Sequence, residues 1–467
     1  MSGPTEHLSN ANPHAGGLLG AARGRIGGTL HQFRGDGLRA RAMRGSGWTL
    51  FGFGTSQVLR LGSNLILTRL LFPEAFGLMA LASVFQQGLG MLSDIGVGPS
   101  IVQNKRGDDP DFLATAWTMQ VIRGFTLFLC MCALAYPASL MYDQPLLLPI
   151  LIMLGLTSII QGFQSIGIST ASRKMLLGRL TLIDLVSQSV GIVVMVVWAY
   201  YSRDVWALVG GGIAGGLVRV ALGHRILGSA GNRFHFERSA AKEIFHFGKW
   251  IFLATAMTYF GGRGLTLVQG ALVPIEVLGM LSIAGMLAAF AVGLIQKIGA
   301  SVLFPAFADI HRERPEKLRQ YLSESRAKLF WLSAPCFTTL ILFAKPLISL
   351  LYDDRYRDAG IYLSVLAVNS AITSLRTPFG MTLISRGDSY GHSLIMFAIA
   401  ALGIVSTLVG FALGGVYGML VAAIVTQLAV YPIEAWRLHM SGMWMPRFDL
   451  LTAGYYLTLA VCVYTWA

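Results

Sequence analysis

The sequence predicts an all-α polytopic membrane protein of two six-helix lobes, related by a pseudo-two-fold axis along the membrane normal, plus one C-terminal apolar segment. Three observations lead to this fold class. Only 13% of the residues are charged, against about 25% in soluble domains. The hydrophobic residues, 54% of the chain, fall into long blocks. A short pattern near residue 70 recurs 202 residues later.

The apolar blocks have the length that a membrane span requires. About twenty helical residues cross the roughly 30 Å of hydrocarbon at about 1.5 Å per residue. The predicted spans are 47–70, 75–101, 112–136, 145–168, 179–201, 205–226, 245–268, 274–297, 327–346, 358–384, 390–413, 415–437 and 450–467. The loops between them are too short to form a soluble domain.

The distribution of Lys and Arg predicts the orientation of these spans. Of the 36 basic residues, 26 lie in the N-terminal tail and around the loops after even-numbered spans, and four lie in loops after odd-numbered spans. Loops rich in Lys and Arg stay in the cytoplasm. The N-terminus and the even-numbered loops are therefore predicted to be cytoplasmic.

The net charge of +13 does not indicate a nucleic-acid-binding protein. Its basic residues flank membrane spans, where they set orientation and contact anionic headgroups. The N-terminal tail, residues 1–46, is rich in Gly and Arg and lacks an apolar core, so we expect disorder rather than a signal peptide. The four cysteines show no metal or redox spacing. We predict no cofactor, no metal site and no catalytic residue.

Six arginines fall inside predicted spans, where each costs about 2.5–3.5 kcal/mol on insertion scales. Arg69 and Arg219 lie near span ends and can extend to the interface. The other four lie deeper: Arg60, Arg123, Arg263 and Arg376. Either buried ion pairs or a hydrated, cationic cavity would explain them.

The polar residues inside the spans favour a cavity. The acids away from the span ends are Asp94, Asp184 and Glu434, too few to neutralise every arginine. At least ten Asn and Gln side chains, among them Asn64 and Gln269, fall inside spans or at their ends, whereas helix–helix contacts need only a few. A cationic cavity implies an anionic ligand, and the guanidinium group suits phosphate.

An internal repeat divides the chain. The segment LTRLLFPEAFGLMALA (67–82) resembles VQGALVPIEVLGMLSIA (268–284), and an intramembrane arginine precedes each copy, Arg60 and Arg263. Three pairs align at an offset of 202: Glu74 with Glu276, Gly77 with Gly279, and Met79 with Leu281. Both copies belong to a block of six spans that starts on the cytoplasmic side, which predicts a parallel repeat.

The repeat defines the predicted domains. The N-terminal lobe is 47–226, the C-terminal lobe is 245–438, and a basic cytoplasmic linker, 227–244, joins them. Residues 450–467 form either a short thirteenth span or an interfacial segment.

Two further segments receive a structural prediction. Residues 311–332 are expected to form an amphipathic helix on the inner surface. The residues expected to face lipid are Leu318, Tyr321, Leu322 and Leu329. Residues 347–357 are expected to cap the outer entrance.

Three segments carry a family resemblance. They are LLFPEAFGLMALASVFQQGLGMLSDIGVGPSIVQNK (70–105), FPAFADIHRERPEKLRQYL (304–322) and LLYDDRYRDAG (350–360). They resemble the oligosaccharide-lipid flippases, the polysaccharide transporters of the multidrug, oligosaccharidyl-lipid and polysaccharide export superfamily, over about residues 47–440. The resemblance implies a V-shaped pair of lobes in the bacterial inner membrane. It also implies a substrate, undecaprenyl-diphosphate-linked oligosaccharide, flipped for O-antigen, exopolysaccharide or capsule synthesis.

The resemblance extends to the site and the partners. Family members line a central cavity with arginine, chiefly on the first and seventh helices. The implied substrate-binding residues are Arg60 and Arg263, then Arg123 and Arg376, with Asn64 and Gln269 as hydrogen-bonding neighbours. Asp94 and Asp184 are the implied gate or ion-pair residues. The implied partners are the polyprenyl-diphosphate-linked oligosaccharide, membrane lipids, and polymerase and chain-length proteins of the same pathway.

Two alternative functions stay open. A cation-coupled drug or metabolite exporter of the same superfamily would be expected to line its cavity with acids, whereas the spans here hold six basic and three acidic residues. A polysaccharide polymerase would be an enzyme with a long external loop, whereas the longest predicted external loop is 347–357. We therefore expect a transporter rather than an enzyme.

Overall fold

The structure, a computed structural model, describes residues 38–94, 96–228, 231–246, 259, 264–299, 303–386 and 388–466. All regular secondary structure in these ranges is helical, which confirms the predicted all-α class. Of the predicted tail, residues 1–37 lie outside the described part, and the first helix begins at Leu38, nine residues before the predicted span.

The first half of the chain forms eight helices between residues 38 and 227. They are α1 (Leu38–Leu70), α2 (Pro73–Leu92), α3 (Val97–Gln103), α4 (Pro110–Met141), α5 (Leu147–Gly162), α6 (Gly167–Arg173), α7 (Leu177–Ser202) and α8 (Trp206–Leu227). The predicted second span is divided between α2 and α3, since Gly96 has a left-handed φ of 67°. The predicted fourth span is divided between α5 and α6, which meet at a bend of 60°.

The described helices of the second half begin with α9 (238–246). They continue with α10 (Gly264–Leu272), α11 (Ile275–Ile298), α12 (Phe304–Glu313), α13 (Leu318–Leu342), α14 (Ala344–Leu351), α15 (Ala359–Ser385), α16 (Ser389–Met440) and α17 (Pro446–Trp466). Most of the predicted seventh span, 245–268, lies outside the described residues. Gly414 and Gly415 interrupt α16 with non-helical backbone, and Gly415 has a φ of 58° that favours glycine. This break separates the predicted eleventh and twelfth spans.

By length and composition, six helices in the described chain can each cross a membrane. The number rises to eight if each bent pair, α5 with α6 and α13 with α14, makes one span. The interrupted α16 counts once in these totals. Helix α1 is not among the six, because its apolar stretch is broken by Ser56, Gln57, Arg60 and Asn64.

The helices pack in two groups, which we call the first and second lobes. In the first lobe α8 packs on α7, α5 on α4 and α1 on α7; in the second, α15 packs on α11, α13 and α16. Helices α2 and α11 make the main described contact between the lobes. We call the end of the molecule where α1 meets α2 the outer end, after the predicted orientation.

The α2–α11 contact has the reciprocity of a two-fold axis. A Cβ on Gly77 would lie 2.1 Å from the carbonyl oxygen of Ile275, and a Cβ on Gly279 would lie 1.9 Å from that of Pro73. Gly77 and Gly279, and likewise Pro73 and Ile275, are 202 residues apart. Gly77 therefore approaches Ile275 as Gly279 approaches Pro73, which is the exchange of equivalent contacts that a symmetric interface requires.

The linker is bonded to the first lobe. Arg106, in the loop before α4, pairs with Glu237 at 2.8 Å and with Asp109 at 2.7 Å. The backbone N–H of Glu237 donates to the Thr115 hydroxyl at 3.0 Å. Hydrogen bonds from Arg106 lower the pKa of both Glu237 and Asp109. Residues 231–246 therefore pack as part of the first lobe.

The C-terminal segment forms a helix that docks on the second lobe. Asp449 of α17 pairs with Arg326 of α13, and both side chains are buried. The Arg326 guanidinium lies between the rings of Phe379 and Phe448, at 4.0 and 4.6 Å from their centroids. Burial of this pair requires α17, so the segment is part of the lobe's core.

The predicted amphipathic surface helix 311–332 is wrong. Residues 318–332 are instead the start of α13, which continues to Leu342. Leu318, Leu322 and Leu329 are buried in the core of the second lobe rather than exposed to lipid. The apolar face of this helix was predicted correctly, but it packs against the other helices of the second lobe and not against lipid.

Candidate functional site

A cavity of about 840 Å³ lies between the lobes. Its walls are mainly α1 and α2 of the first lobe and α10 and α11 of the second, with Leu366 and Leu420 completing it. Along α11 the lining runs from Leu278 to Gln296, about 27 Å at the helical rise. Ligand cavities in proteins measure about 300–1,000 Å³, so this space can hold a sizeable polar group.

The α1 wall is a single polar face. Its lining residues are Phe53, Ser56, Gln57, Arg60, Leu61 and Asn64, spaced three or four apart as one side of a helix requires. Ser56 is held in place because its hydroxyl donates to Gln188 of α7 at 2.6 Å. This bond fixes the rotation of α1 and therefore turns Arg60 towards the cavity.

Arg60 is an unpaired cation in this cavity. Its side chain is exposed, and within the described ranges the guanidinium makes no hydrogen bond or ion pair. It is also the one charged residue among those described that line the space. An unpaired guanidinium offers five N–H donors in a fork that matches phosphate oxygens.

Neutral polar groups occupy the rest of the cavity wall. Amides come from Gln57, Asn64, Gln87, Gln269 and Gln296, and hydroxyls from Ser56, Ser83, Thr266 and Ser282. Apolar residues such as Phe76 and Met286 fill the space between them. The described wall combines one cation with many hydrogen-bonding groups, which suits a ligand that carries both an anion and hydroxyls.

Arg123 and Arg376, predicted as further binding residues, do not line this cavity. Arg123 donates to the Ser93 hydroxyl at 3.0 Å and to the Gly90 carbonyl at 2.6 Å. Arg376 is largely buried and pairs with Glu434 at 2.6 Å. Both guanidinium groups thus have partners within their own lobe, and a role for them in substrate binding stays a prediction.

The predicted acids have structural partners. Asp184 pairs with Arg219 at 3.0 Å, so this pair joins α7 to α8. Asp94 accepts the backbone N–H of Gly96 at 2.9 Å, where the chain turns from α2 into α3. Their role as a gate is not addressed by these contacts. Arg263 lies outside the described residues.

Arg60, Asn64 and Gln269 were predicted as binding residues, and all three line the cavity. Ser56 and Gln57 also line it but were not predicted. Their spacing of three and four from Arg60 was the available signal. Some of the amides that indicated a hydrated passage join helices instead, such as Gln86, which donates to Thr157 at 2.5 Å.

Residues 352–356 make three of the described hydrogen bonds that join the lobes at the outer end. The Tyr352 hydroxyl donates to Asn64 Oδ1 at 3.2 Å. The Tyr356 hydroxyl donates to the Leu71 carbonyl at 2.9 Å, and Arg355 donates to the Arg69 carbonyl at 3.2 Å. We call residues 352–356 the outer clamp. They belong to the segment that was expected to cap the outer entrance.

Known proteins resemble this chain over most of its length. Residues 66–361 match the model of a family described as polysaccharide biosynthesis protein. The chain is 22% identical over 450 residues to the lipopolysaccharide biosynthesis protein WzxC of Escherichia coli strain K12, covering 92% of this chain and 88% of the relative. It is 23% identical over 382 residues to the succinoglycan biosynthesis transport protein ExoT of Rhizobium meliloti strain 1021, covering 82% and 76%.

Solved structures share the fold. The lipid II flippase MurJ, in an inward closed conformation, superimposes with a TM-score of 0.63 at 15% identity, covering 91% of this chain and 92% of MurJ. An inward-facing multidrug resistance transporter of the MATE family superimposes with a TM-score of 0.62 at 14% identity, covering 83% and 95%. These similarities confirm the predicted fold class.

Proposed function

Since the chain belongs to the polysaccharide biosynthesis protein family, we propose that it is a flippase for undecaprenyl-diphosphate-linked oligosaccharide. It moves repeat units from the inner to the outer leaflet of the bacterial inner membrane, with its N-terminus in the cytoplasm. The units then enter O-antigen, exopolysaccharide or capsule synthesis. Transport proceeds by alternating access, in which the two lobes move relative to each other.

The observation that carries this proposal is Arg60, an unpaired cation in a cavity between two lobes. A guanidinium at the depth of a membrane span is costly unless a partner or water compensates it. The diphosphate of a lipid-linked sugar is such a partner, because its oxygens accept the bidentate hydrogen bonds that arginine donates. We expect Arg60 to hold the diphosphate, and Arg263, its counterpart in the repeat, to assist from the second lobe.

The neutral groups of the cavity suit the sugars. Sugar hydroxyls both donate and accept hydrogen bonds, as the amides of Asn64 and Gln269 do. The cavity therefore replaces the water that diphosphate and sugars lose on leaving the cytoplasm. No covalent step is needed, so the proposed activity is transport and not catalysis.

The names of related proteins support the proposal of lipid-linked sugar transport. ExoT is named as a transport protein of succinoglycan biosynthesis, and MurJ as a lipid II flippase. The contacts of the outer clamp close the outer end, and this arrangement suits loading from the cytoplasmic leaflet. Membrane lipids surround the lobes, and we propose the polymerase and chain-length proteins of the pathway as partners.

Proteoliposomes test the proposal directly. A fluorescent polyprenyl-diphosphate oligosaccharide is placed in one leaflet, and its translocation is followed for the native chain, Arg60→Ala and Arg60→Lys. Arg219→Ala is the matched control, because it also removes an intramembrane arginine but one that pairs with Asp184 outside the cavity. We expect Arg60→Ala to abolish flipping, Arg60→Lys to retain part of it, and Arg219→Ala to retain most.

Two results would overturn the proposal. Flipping that is undisturbed by Arg60→Ala would remove the assigned role of the cavity cation. A native chain that flips no lipid-linked sugar but exports a cationic dye would favour the drug-exporter alternative.

A further inference from the structure

Asn64 lies where the cavity meets the outer clamp. It lines the cavity one helical turn from Arg60, and its Oδ1 accepts the hydroxyl of Tyr352 from the second lobe. The Tyr352 side chain itself is only 5% exposed and packs in the core that joins the lobes. A cavity ligand whose hydroxyl donates to Asn64 Oδ1 in the same position would therefore displace the Tyr352 hydroxyl.

Tyr352 differs from the other members of the outer clamp. Tyr356 and Arg355 bind the backbone carbonyls of Leu71 and Arg69, which are not part of the cavity wall. Tyr352 alone among these three binds a side chain that lines the cavity. A ligand in the cavity can therefore affect the hydrogen bonds of the outer clamp through Asn64.

We propose that a sugar hydroxyl of the bound substrate replaces the Tyr352 hydroxyl as the donor to Asn64 Oδ1, and that this exchange releases the outer clamp. This inference rests on the proposed function and names the part of the substrate that acts. The diphosphate binds Arg60 and holds the substrate. The sugar then takes the Asn64 amide, so opening towards the outside requires a lipid that carries sugar.

Sugar binding is coupled to opening of the outer clamp because the closed and open states bind the sugar with different affinity. A ligand shifts a conformational equilibrium only by its differential affinity for the two states. With the clamp closed, the sugar must displace Tyr352 from Asn64; with the clamp open, the amide is free to bind it. The loss of one neutral hydrogen bond changes an equilibrium by roughly two- to tenfold.

The test measures the distance between the outer ends of the lobes. Spin labels are placed by Tyr201→Cys at the end of α7 and Leu350→Cys at the end of α14, two exposed positions on different lobes. The background chain carries alanine in place of the four cysteines Cys130, Cys132, Cys336 and Cys462. The probes are polyprenyl diphosphate and polyprenyl-diphosphate disaccharide.

Two variants are compared in this background. Tyr352→Phe keeps the ring but loses the hydroxyl that binds Asn64. Tyr356→Phe is the matched control, since it loses a similar bond between the lobes, but one to the Leu71 carbonyl. For both we expect the long-distance population without ligand to rise roughly two- to tenfold.

The two variants are expected to differ in how the disaccharide lipid changes the long-distance population. In the native chain and in Tyr356→Phe, the disaccharide lipid should raise the long-distance population above the level with sugar-free lipid. In Tyr352→Phe the two lipids should give the same level. The inference is overturned if Tyr352→Phe keeps the response to sugar, or if both lipids open the native chain equally. Failure of either lipid to bind would instead contradict the proposed function.

Discussion

Arg376 Nε lies 2.6 Å from Glu434 Oε2, and this pair is buried inside the second lobe. The arginine was predicted to face substrate, and its acid partner is 58 residues away in the sequence. Gln427 accepts a further hydrogen bond from Arg376. The guanidinium is thereby neutralised within the helices that hold it.

We expect this ion pair to be needed for stability and not for transport. Glu434→Leu leaves the Arg376 charge buried without its counter-charge, which costs about 3–5 kcal/mol. Replacement of both residues, Arg376→Met with Glu434→Leu, should restore most of that loss, because apolar residues can fill the same space. Thermal unfolding in detergent measures the stability, and the liposome assay measures flipping. A stable double variant that does not flip would give Arg376 a transport role after all.

The two glycines of the interface between lobes are predicted to control the closed outer end. Gly77→Ala and Gly279→Ala each place a methyl group against a carbonyl oxygen, at 2.1 and 1.9 Å in the present arrangement. Overpacking of this kind costs about 1–3 kcal/mol. Each substitution should therefore destabilise the closed state by that free energy, relative to a state in which α2 and α11 separate.

The spin-label distance between Tyr201→Cys and Leu350→Cys reports this shift. Gly90→Ala is the control, because it lies on the same helix as Gly77 and faces open space. Equal distance distributions for Gly77→Ala and the native chain would show that the glycine contact does not oppose opening.

Cavity amides are predicted to contribute to sugar binding. Gln269→Ala removes a hydrogen-bonding group of the cavity and should weaken binding of the polyprenyl-diphosphate disaccharide up to about tenfold. Binding of sugar-free polyprenyl diphosphate should change little, because Arg60 is untouched. Gln120→Ala serves as the control, since that amide binds the Gly162 carbonyl at 3.0 Å and does not line the cavity. Equal losses for both lipids would remove Gln269 from sugar recognition.

Attachment of the linker to the first lobe is predicted to depend on pH. Arg106 lowers the pKa of Asp109 and Glu237 below their values in the unfolded chain. Ionised Glu237 therefore stabilises the contact with the linker, and ionised Asp109 stabilises the position of Arg106. That stabilisation is complete above the unfolded pKa values of about 4 and is lost as the pH falls through the lowered ones. The linker should therefore detach only in acid.

The mobility of a spin label at Arg238, the first residue of α9, follows this detachment. It should be low at neutral pH and rise below about pH 4. Glu237→Gln should raise the mobility already at neutral pH, since the amide cannot form the ion pair with Arg106. A mobility that does not vary with pH would show that other contacts, such as the Thr115 bond, hold the linker by themselves.

Much of the fold could be predicted from local composition. The apolar blocks located most of the long described helices, because burial in lipid requires continuous apolar length. Helices α1 and α13 begin nine residues before the predicted spans, and α12 and α14 were not predicted as separate helices. The equivalence of Gly77 and Gly279 was also visible as a repeat at an offset of 202. The break at Gly96 was not predicted, because glycine inside membrane helices is common and only its φ reveals a turn. The break at Gly414 and Gly415 falls where the predicted eleventh and twelfth spans meet.

The candidate site was predicted in part. Polar side chains at a spacing of three or four around Arg60 indicate one helix face, and that face lines the cavity. Arg123 and Arg376 look the same in the sequence, yet each meets a partner on a neighbouring helix. Which arginine stays unpaired depends on how the helices are rotated against one another.

The sequence by itself determined the class of molecule, its family and the cost of each intramembrane charge, because these depend on composition and local period. Only the tertiary structure decided which charges are neutralised, that Leu318 packs in a core and not in lipid, and that Asn64 meets Tyr352. Those contacts join residues far apart in the chain, up to 288 positions for Asn64 and Tyr352. The physical reason is that the packing of helices decides which side chains meet. A sequence pattern also cannot distinguish an apolar face that contacts lipid from one that contacts the protein interior, because both environments are equally apolar.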